Sequence, residues 1–356
     1  MKRLYIHAGS VVVIAAAVAF AGCGSSSKSS SNSSGSTAST GTKVGKIGIA
    51  APEKANDYGW NQQGVEGAKA AAAAEGAQIE VADGSGYDNI EPVLRRLAQR
   101  GSKMIIAQAS GYNTVAPKVA AQFKVPTLVY DSPSSTKAGT VADVETSSQQ
   151  GAYLAGILAA SVTKTNTLGI VISAADTNWF KQSGGFAAGA KSVNPKVKFK
   201  MAQIGQAAYA DSAGGKRVTA QVIAAGADVV FGMGDGASFG MLQAVQTAKA
   251  PAGASKVYFI DVIGDKTPID KKHVLLSSVI WNFTQVFQQA MADVGAGTFG
   301  QKGYDLTVKN GISLLKTNNA PASAWAKVAA AQAKIADGSL TIPLTPNQAA
   351  VNKLIK

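Results

Sequence analysis

Two α/β halves, each a parallel sheet covered by helices on both faces, are the architecture this sequence predicts. From residue 43 onward, short apolar runs alternate with longer Ala-rich amphipathic segments. Strands flanked by helices on both sides imply a parallel, doubly covered sheet. The alternation weakens after Asp131 and then resumes, so the same pattern is written twice. A length of 356 residues with 46% hydrophobic content suits two domains of ordinary size, each with its own core.

In order, residues 44–51 read as a strand, 62–75 as a helix, 78–82 as a strand, 91–100 as a helix, 104–108 as a strand, 114–123 as a helix and 127–130 as a strand. Right-handed crossovers make this series a Rossmann-like half. Ser132-Pro133-Ser134-Ser135 and the run 141–146 read as a crossing. The second series has helices over 149–162, 180–192, 214–225 and 239–248, and strands over 167–172, 197–204 and 229–233. Strands over 257–261 and 274–280 are expected to return to the first sheet. The N-terminal lobe is then 43–145 plus about 257–280, and the C-terminal lobe 146–256 plus about 281–356. In the tail, 283–294 and 322–337 read as helices, 304–308 and 312–315 as short strands, and Ile342-Pro343 as a terminal strand.

The first residues have the form of an export signal: basic Lys2 and Arg3, an apolar stretch over 8–20, then Ala21-Gly22 before Cys23. A signal peptide over 1–22 is expected. Residues 23–42 are almost entirely Ser, Gly, Thr and Ala, too poor in apolar surface to fold, and are expected to act as a flexible tether. The single cysteine excludes an intramolecular disulfide. The net charge of +13 is spread over basic residues placed singly or in pairs such as Arg95-Arg96 and Lys271-Lys272. That scatter argues against a nucleic-acid interface and suits attraction to anionic lipid headgroups.

Chemistry concentrates at strand ends. Asp57, Trp60 and Asn61 follow the first strand in the turn Asn56 to Asn61, Asp131 ends the fourth, Asp235 follows Met233, Asp261 ends another, and Trp281 closes the run after Ser277. Parallel strands gather such residues along one edge of each sheet, where open α/β folds bind ligands. Carboxylates accept ring N–H or sugar O–H groups, Asn61 can donate and accept, and an indole stacks on a flat ring. A small, donor-rich ligand is favoured over an anion. Each residue also has a local use: Asp57 suits a helix cap, Asp131 before Ser-Pro suits a turn, and Trp179-Phe180 suits a core anchor.

Catalytic patterns are sparse. Gly236-Ala237-Ser238-Phe239-Gly240 has nucleophile-elbow spacing, and Asp261 and His273 follow in the order of an α/β-hydrolase triad. Against that reading, Gly234-Asp235 separates Ser238 from its strand and no His-Gly-Gly segment precedes it. Gly232, Gly234 and Gly236 lack dinucleotide-binding spacing. Only His273 remains once a leader carrying His7 is removed, and no metal-binding motif is present, so neither a cofactor nor a metal is expected.

Several motifs together resemble one family. Ala21-Gly22-Cys23 resembles a bacterial lipobox, with Phe20 where leucine is usual. Asp57-Tyr58-Gly59-Trp60-Asn61 resembles an Asp-Lys-Ser-Phe-Asn segment, Tyr153-Leu154-Ala155-Gly156 a Tyr-Leu-Ala-Gly helix start, and Gly185-Phe186-Ala187-Ala188-Gly189-Ala190 a Gly-Phe-x-x-Gly-Ala helix; Gly226-Ala227-Asp228-Val229-Val230-Phe231 also matches. These are segments of the basic membrane protein family of ABC transporter substrate-binding lipoproteins, which includes purine nucleoside receptors. The resemblance implies a type 1 periplasmic-binding fold with a ligand cleft between two lobes, lipidation at Cys23, membrane attachment outside the cytoplasm, permease partners, a monomer and no enzyme activity. It implies ligand roles for Trp60, Asn61, Asp131 and, as the acid that holds sugar hydroxyls, Asp261, with Phe180 near the opposite wall. Where nucleoside receptors carry lysine, Trp281 stands here, which leaves a base or another flat heterocycle open beside a nucleoside. An exported hydrolase using Ser238, and a ligand sensor without transport, are the alternatives.

Overall fold

The computed structural model describes residues 42–356. The expected signal peptide, Cys23 and all of the tether but Thr42 lie outside the described residues. Among the described residues, no helix is long and apolar enough to cross a membrane.

The first lobe is built from β1 (Lys46–Ala50), α1 (Trp60–Glu75), β2 (Gln78–Ala82), α2 (Glu91–Gln99), β3 (Met104–Ala107), α3 (Ala116–Phe123), β4 (Thr127–Tyr130) and β5 (Val141–Thr146). The chain crosses to the second lobe for α4 (Ser148–Val162), β6 (Thr167–Ile172), α5 (Thr177–Val193), β7 (Lys198–Gln203), α6 (Ser212–Ala224), β8 (Val229–Met233), α7 (Ala237–Thr247), β9 (Tyr258–Ile263) and β10 (Leu275–Trp281). It returns for α8 (Thr284–Ala296) and β11 (Tyr304–Leu306), then crosses again for β12 (Ile312–Leu314), α9 (Ala322–Asp337) and α10 (Gln348–Ile355). The first sheet has the order β11-β5-β4-β3-β1-β2 and the second β12-β10-β9-β8-β6-β7. Every pairing is parallel except that of β12 with β10.

Alternation along the strands explains why both faces are covered. Ile47, Ile49, Met104, Ile106, Leu128 and Tyr130 face one way, toward α1 and α8, while Ile105, Ala107 and Val129 face the other, toward Leu94 and Leu97 of α2 and Val119 of α3. In the second sheet, Val171, Val230, Phe259 and Leu275 pack on Val218 and Val222 of α6 and Met241 of α7. The opposite face meets α4 and α5, where Phe186 stacks on Phe231 at 4.7 Å.

Two expectations are corrected. The strands over 257–280 do not return to the first sheet: β9 pairs with β8 and β10 with β9. Helix α7 delivers β9 to the open edge of β8, and the Asp270 carboxylate accepts the backbone N–H groups of Val274 and Leu275 at 3.1 and 2.7 Å, fixing the entry to β10 beside it. The crossing back occurs after Trp281, so α8 and β11 complete the first lobe. Ile342-Pro343 forms no strand. Its segment is tied down where Thr345 donates to the Phe180 carbonyl at 2.6 Å, and a final helix, α10, follows.

Helices α4 and α5 lie backbone to backbone, and glycines make this possible. A Cβ on Gly156 would meet the Phe186 carbonyl oxygen, and one on Gly189 would meet that of Tyr153. The Tyr-Leu-Ala-Gly and Gly-Phe-x-x-Gly-Ala patterns are thus two sides of one packing contact. Gly156→Ala is expected to destabilise the protein by about 1–3 kcal/mol, the cost of overpacking a filled interface. Urea unfolding would read this as a lower midpoint at constant slope, and an unchanged midpoint would refute it.

Candidate functional site

The turn between β1 and α1 is organised by Asp57. Its carboxylate accepts the N–H groups of Gly59, Asn61 and Gln62 at 3.0, 3.0 and 2.9 Å, satisfying donors that a helix start leaves open. Asn61 donates to the same carboxylate at 2.8 Å and accepts from the Glu53 N–H at 3.1 Å. Both side chains are therefore spent inside the turn. What they position is Trp60. Its indole N–H donates to the Gln108 carbonyl at 2.8 Å, and its ring stands edge-on to Tyr130, Phe283 and Trp281 at 4.9, 5.5 and 6.2 Å. Tyr130 in turn donates to the Gln108 side chain at 2.6 Å.

Trp60 forms part of the wall of a cavity of about 450 Å³ between the carboxyl ends of the two sheets. The first lobe contributes Trp60, Tyr87, the 109–111 turn and Asp131; the second contributes Asp176, Asn178, Trp179, Ala207 and Tyr209 on one side and Asp235, Ile263 and Trp281 on the other. Of the residues expected at the site, Trp60, Asp131, Asp235 and Trp281 line the cavity, whereas Asp57, Asn61, Phe180 and Asp261 do not. Phe180 packs into the core from the first turn of α5. Its neighbour Trp179 reaches the cavity instead, with its N–H held by Ser173 at 2.9 Å.

Tyr87, Asp176, Asn178, Trp179 and Tyr209 were not singled out as ligand groups by sequence. Each follows a strand end, the rule that located Trp60. Asp176 caps α5 by accepting from the Asn178 N–H at 2.7 Å, and accepts the Tyr209 hydroxyl at 3.0 Å. Asn178 reaches across the cleft to donate to Asp131 at 3.2 Å.

Asp261 is fully buried and forms an ion pair with Lys266 at 2.8 Å, Lys266 being only 1% exposed. Lys266 also donates to the Tyr58 carbonyl at 2.6 Å, so this cation of the second lobe grips the turn that carries Trp60. The Ser238 hydroxyl lies 2.8 Å from the Asp261 carboxyl and 2.5 Å from the Gly234 carbonyl, sharing its one proton between these acceptors. His273 sits exposed at a turn before β10 and is not among these partners. The order Ser238, Asp261, His273 therefore does not assemble into a catalytic triad.

The cavity carboxyls hold protons unusually well. Burial pushes Asp235 up to about 7, reinforced by the nearby negative charges of Asp57 and Glu53 and opposed by Lys266. Burial likewise raises Asp131 to about 6, against the hydrogen bond from Asn178, although the residue as a whole lies exposed at the rim. The Tyr87 phenol is pushed up to about 12 by burial and then by Asp235, Glu53 and Asp57. Asp235 Oδ1 and the Trp281 indole N–H are both buried without a partner, a costly state for polar atoms.

Two stability measurements follow. Lys266→Met leaves the Asp261 charge buried with Ser238 alone and is expected to cost about 3–5 kcal/mol; a loss under 1 kcal/mol in chemical denaturation would show the pair to be dispensable. For Asp235, the folded carboxyl retains its proton up to about pH 7, whereas the unfolded one releases it near the ordinary value of 3.8. The ionised folded form is disfavoured, so stability falls as pH rises between these values and the full penalty applies above them. Asp235→Asn should thus stabilise the ligand-free protein at pH 8, on the order of 4 kcal/mol, and change little at pH 4. Equal effects at the two pH values would exclude a buried, proton-retaining Asp235.

Comparison with known proteins places this cavity in context. The chain is 29% identical to the ABC transporter nucleoside-binding protein BmpA of Lactococcus lactis over 204 residues, which is 54% of this chain and 58% of that protein. It is 29% identical to the CD4+ T-cell-stimulating antigen of Listeria monocytogenes over 208 residues, 55% of this chain and 57% of that one. The chain thus spans a little over half the length of these curated relatives. The structure of an ABC transporter solute-binding protein from Conexibacter woesei superposes with a TM-score of 0.70 at 22% identity, covering 85% of this chain and 99% of that one, a likeness of type 1 periplasmic-binding fold. Residues 44–334 match the family model Bmp, described as ABC transporter substrate-binding protein PnrA-like, and the chain belongs to this family of substrate-binding proteins rather than enzymes.

Proposed function

We propose that this protein is the extracytoplasmic substrate-binding lipoprotein of an ABC importer, anchored through Cys23, which closes its lobes on a small heterocycle, a purine base or nucleoside, and presents it to membrane permease subunits. The cavity carries this reading. It lies between two lobes joined by three chain crossings, and both lobes supply its walls. Closure then has a physical drive, because a ligand bound to one lobe gains the contacts of the other only in the closed form.

The aromatic walls suit a flat ring. Trp60 and Trp281 come from opposite lobes, and Trp179, Tyr87 and Tyr209 add further faces, each aromatic contact contributing roughly 0.5–1.5 kcal/mol beyond area burial. Asp131, Asp235 and Asn178 supply polar contacts for ring nitrogens and exocyclic amines. In this reading Asp57 and Asn61 act by holding Trp60, and Asp261 by holding Lys266. The name of the Lactococcus relative supports a nucleoside or its base as the ligand class.

Thermal-shift and calorimetric titration with purine bases and nucleosides tests the proposal. At least one should raise the melting temperature and bind with a Kd in the micromolar range or below. Trp60→Ala should weaken that ligand about tenfold or more, equivalent to about 1.4 kcal/mol. If no purine, base or nucleoside stabilises the protein, the ligand class is wrong.

A further inference from the structure

We infer that the ligand of this cleft is a cation without a ribose: a flat nitrogen heterocycle bearing a fixed or acquired positive charge, seated against Asp235 and between aromatic faces. This rests on the reading of the cleft as a ligand site and narrows it.

Three aspartates, Asp131, Asp176 and Asp235, line the cavity, and no lysine, arginine or histidine does. They arise from three separate strand ends, β4 in one lobe and β6 and β8 in the other, so their convergence belongs to the tertiary fold. The nearby cations are committed elsewhere. Lys266 is paired with Asp261 and bonded to the Tyr58 carbonyl, and Lys181 is paired with Glu145 at 3.3 Å. The cleft therefore carries acid that no protein cation neutralises, and a bound cation is the partner that would favour its ionised form.

The three acids are not equivalent. Asp176 is occupied by the Asn178 N–H and the Tyr209 hydroxyl, and Asp131 has the Asn178 side chain. Asp235 Oδ1 is buried and has no partner. A second unpartnered group stands in the same wall: the indole N–H of Trp281, whose side chain is 2% exposed. Both atoms are covered from solvent within residues that line the cavity, so a cationic donor that settles against this wall finds in Asp235 an acceptor that no protein group has taken. Aromatic faces complete the selection, since a cation over an indole or phenol ring is attracted by the ring quadrupole.

A ribose finds no counterpart at the β9–β10 side. The acid expected to hold sugar hydroxyls, Asp261, is withdrawn into its ion pair, and the strand ends there present Ile263 and Trp281. Hydroxyl groups set against Ile263 stay unpaired, which costs affinity.

Matched probes test this on the full-length protein. Calorimetry with 1-methylnicotinamide against nicotinamide, and with adenine against adenosine, separates charge from ribose. The cationic member should bind at least tenfold tighter than its neutral partner, adenine should exceed adenosine, and Asp235→Asn should shrink the charge preference to within about threefold. Asp131→Asn is the companion variant, expected to reduce the preference less. Nicotinamide equalling 1-methylnicotinamide, or adenosine surpassing adenine, would overturn the inference while leaving the cleft as a heterocycle site. Failure of all four probes, together with all nucleosides, would overturn both.

Discussion

A single buried cation joins the two lobes next to the cleft. Lys266 belongs to the loop after β9, yet its ammonium donates to the Tyr58 carbonyl in the turn after β1 while pairing with Asp261. A charge taken out of water needs a partner of opposite sign and filled hydrogen bonds, and here the two lobes supply them jointly. The contact is local to function, since the turn it holds carries Trp60. Gly264 sits against the same carbonyl, where a Cβ would collide with it. Separating the lobes at this point would strip Lys266 of a bond and expose the ion pair, so the arrangement of the lobes and the posture of the Trp60 turn are mechanically linked.

The strand ends that define the cleft were legible because parallel sheets put their carboxyl ends on one side. Trp60, Asp131, Asp235 and Trp281 were found by that rule. Asp57 and Asn61 were found by it too, but the dual character of a short polar side chain could not be resolved locally. The structure gives both to the turn, where three backbone N–H groups compete successfully for Asp57. Asp261 is the instructive case. Its side chain faces inward from β9, and two residues outside the strand claim it, Ser238 from α7 and Lys266 from the loop that follows β9. Period-2 alternation makes the next but one residue, Ile263, share its strand face, and it is Ile263 that reaches the cavity.

Other features were hidden for topological reasons. The apolar runs of β9 and β10 state that they are buried strands, not which sheet edge receives them; that depends on where α7 delivers β9 and on the Asp270 clamp before β10. Tyr87 and Tyr209 follow β2 and β7, strands at the outer edges of their sheets. Each lies several residues beyond its strand, so only the folded loop brings it over the cleft. The glycine patterns shared with the family proved to concern helix contact between α4 and α5, a constraint of packing rather than of recognition.

Backbone strain at the cleft belongs with the Lys266 contact. Tyr58, Asp131 and Ile263 adopt left-handed φ values of +50, +54 and +73°; Asp131 and Ile263 lie at strand ends that line the cavity, and Tyr58 in the turn that carries Trp60. For a β-branched residue such as Ile263 this is costly, about 1–3 kcal/mol, and persists only where surroundings over-determine it. They do so here: the Gly264 N–H bonds to the Val262 carbonyl at 2.9 Å around Ile263, and Ser278 donates to the Gly264 carbonyl at 2.6 Å. The sharp turn at Ile263 is what swings the chain back so that Lys266 can reach both Asp261 and Tyr58. A relaxed, extended Ile263 would carry the loop away from the first lobe. The strain thus sustains an interlobe contact and a fixed apolar wall together, and a wall fixed before binding spares the ligand the cost of ordering it.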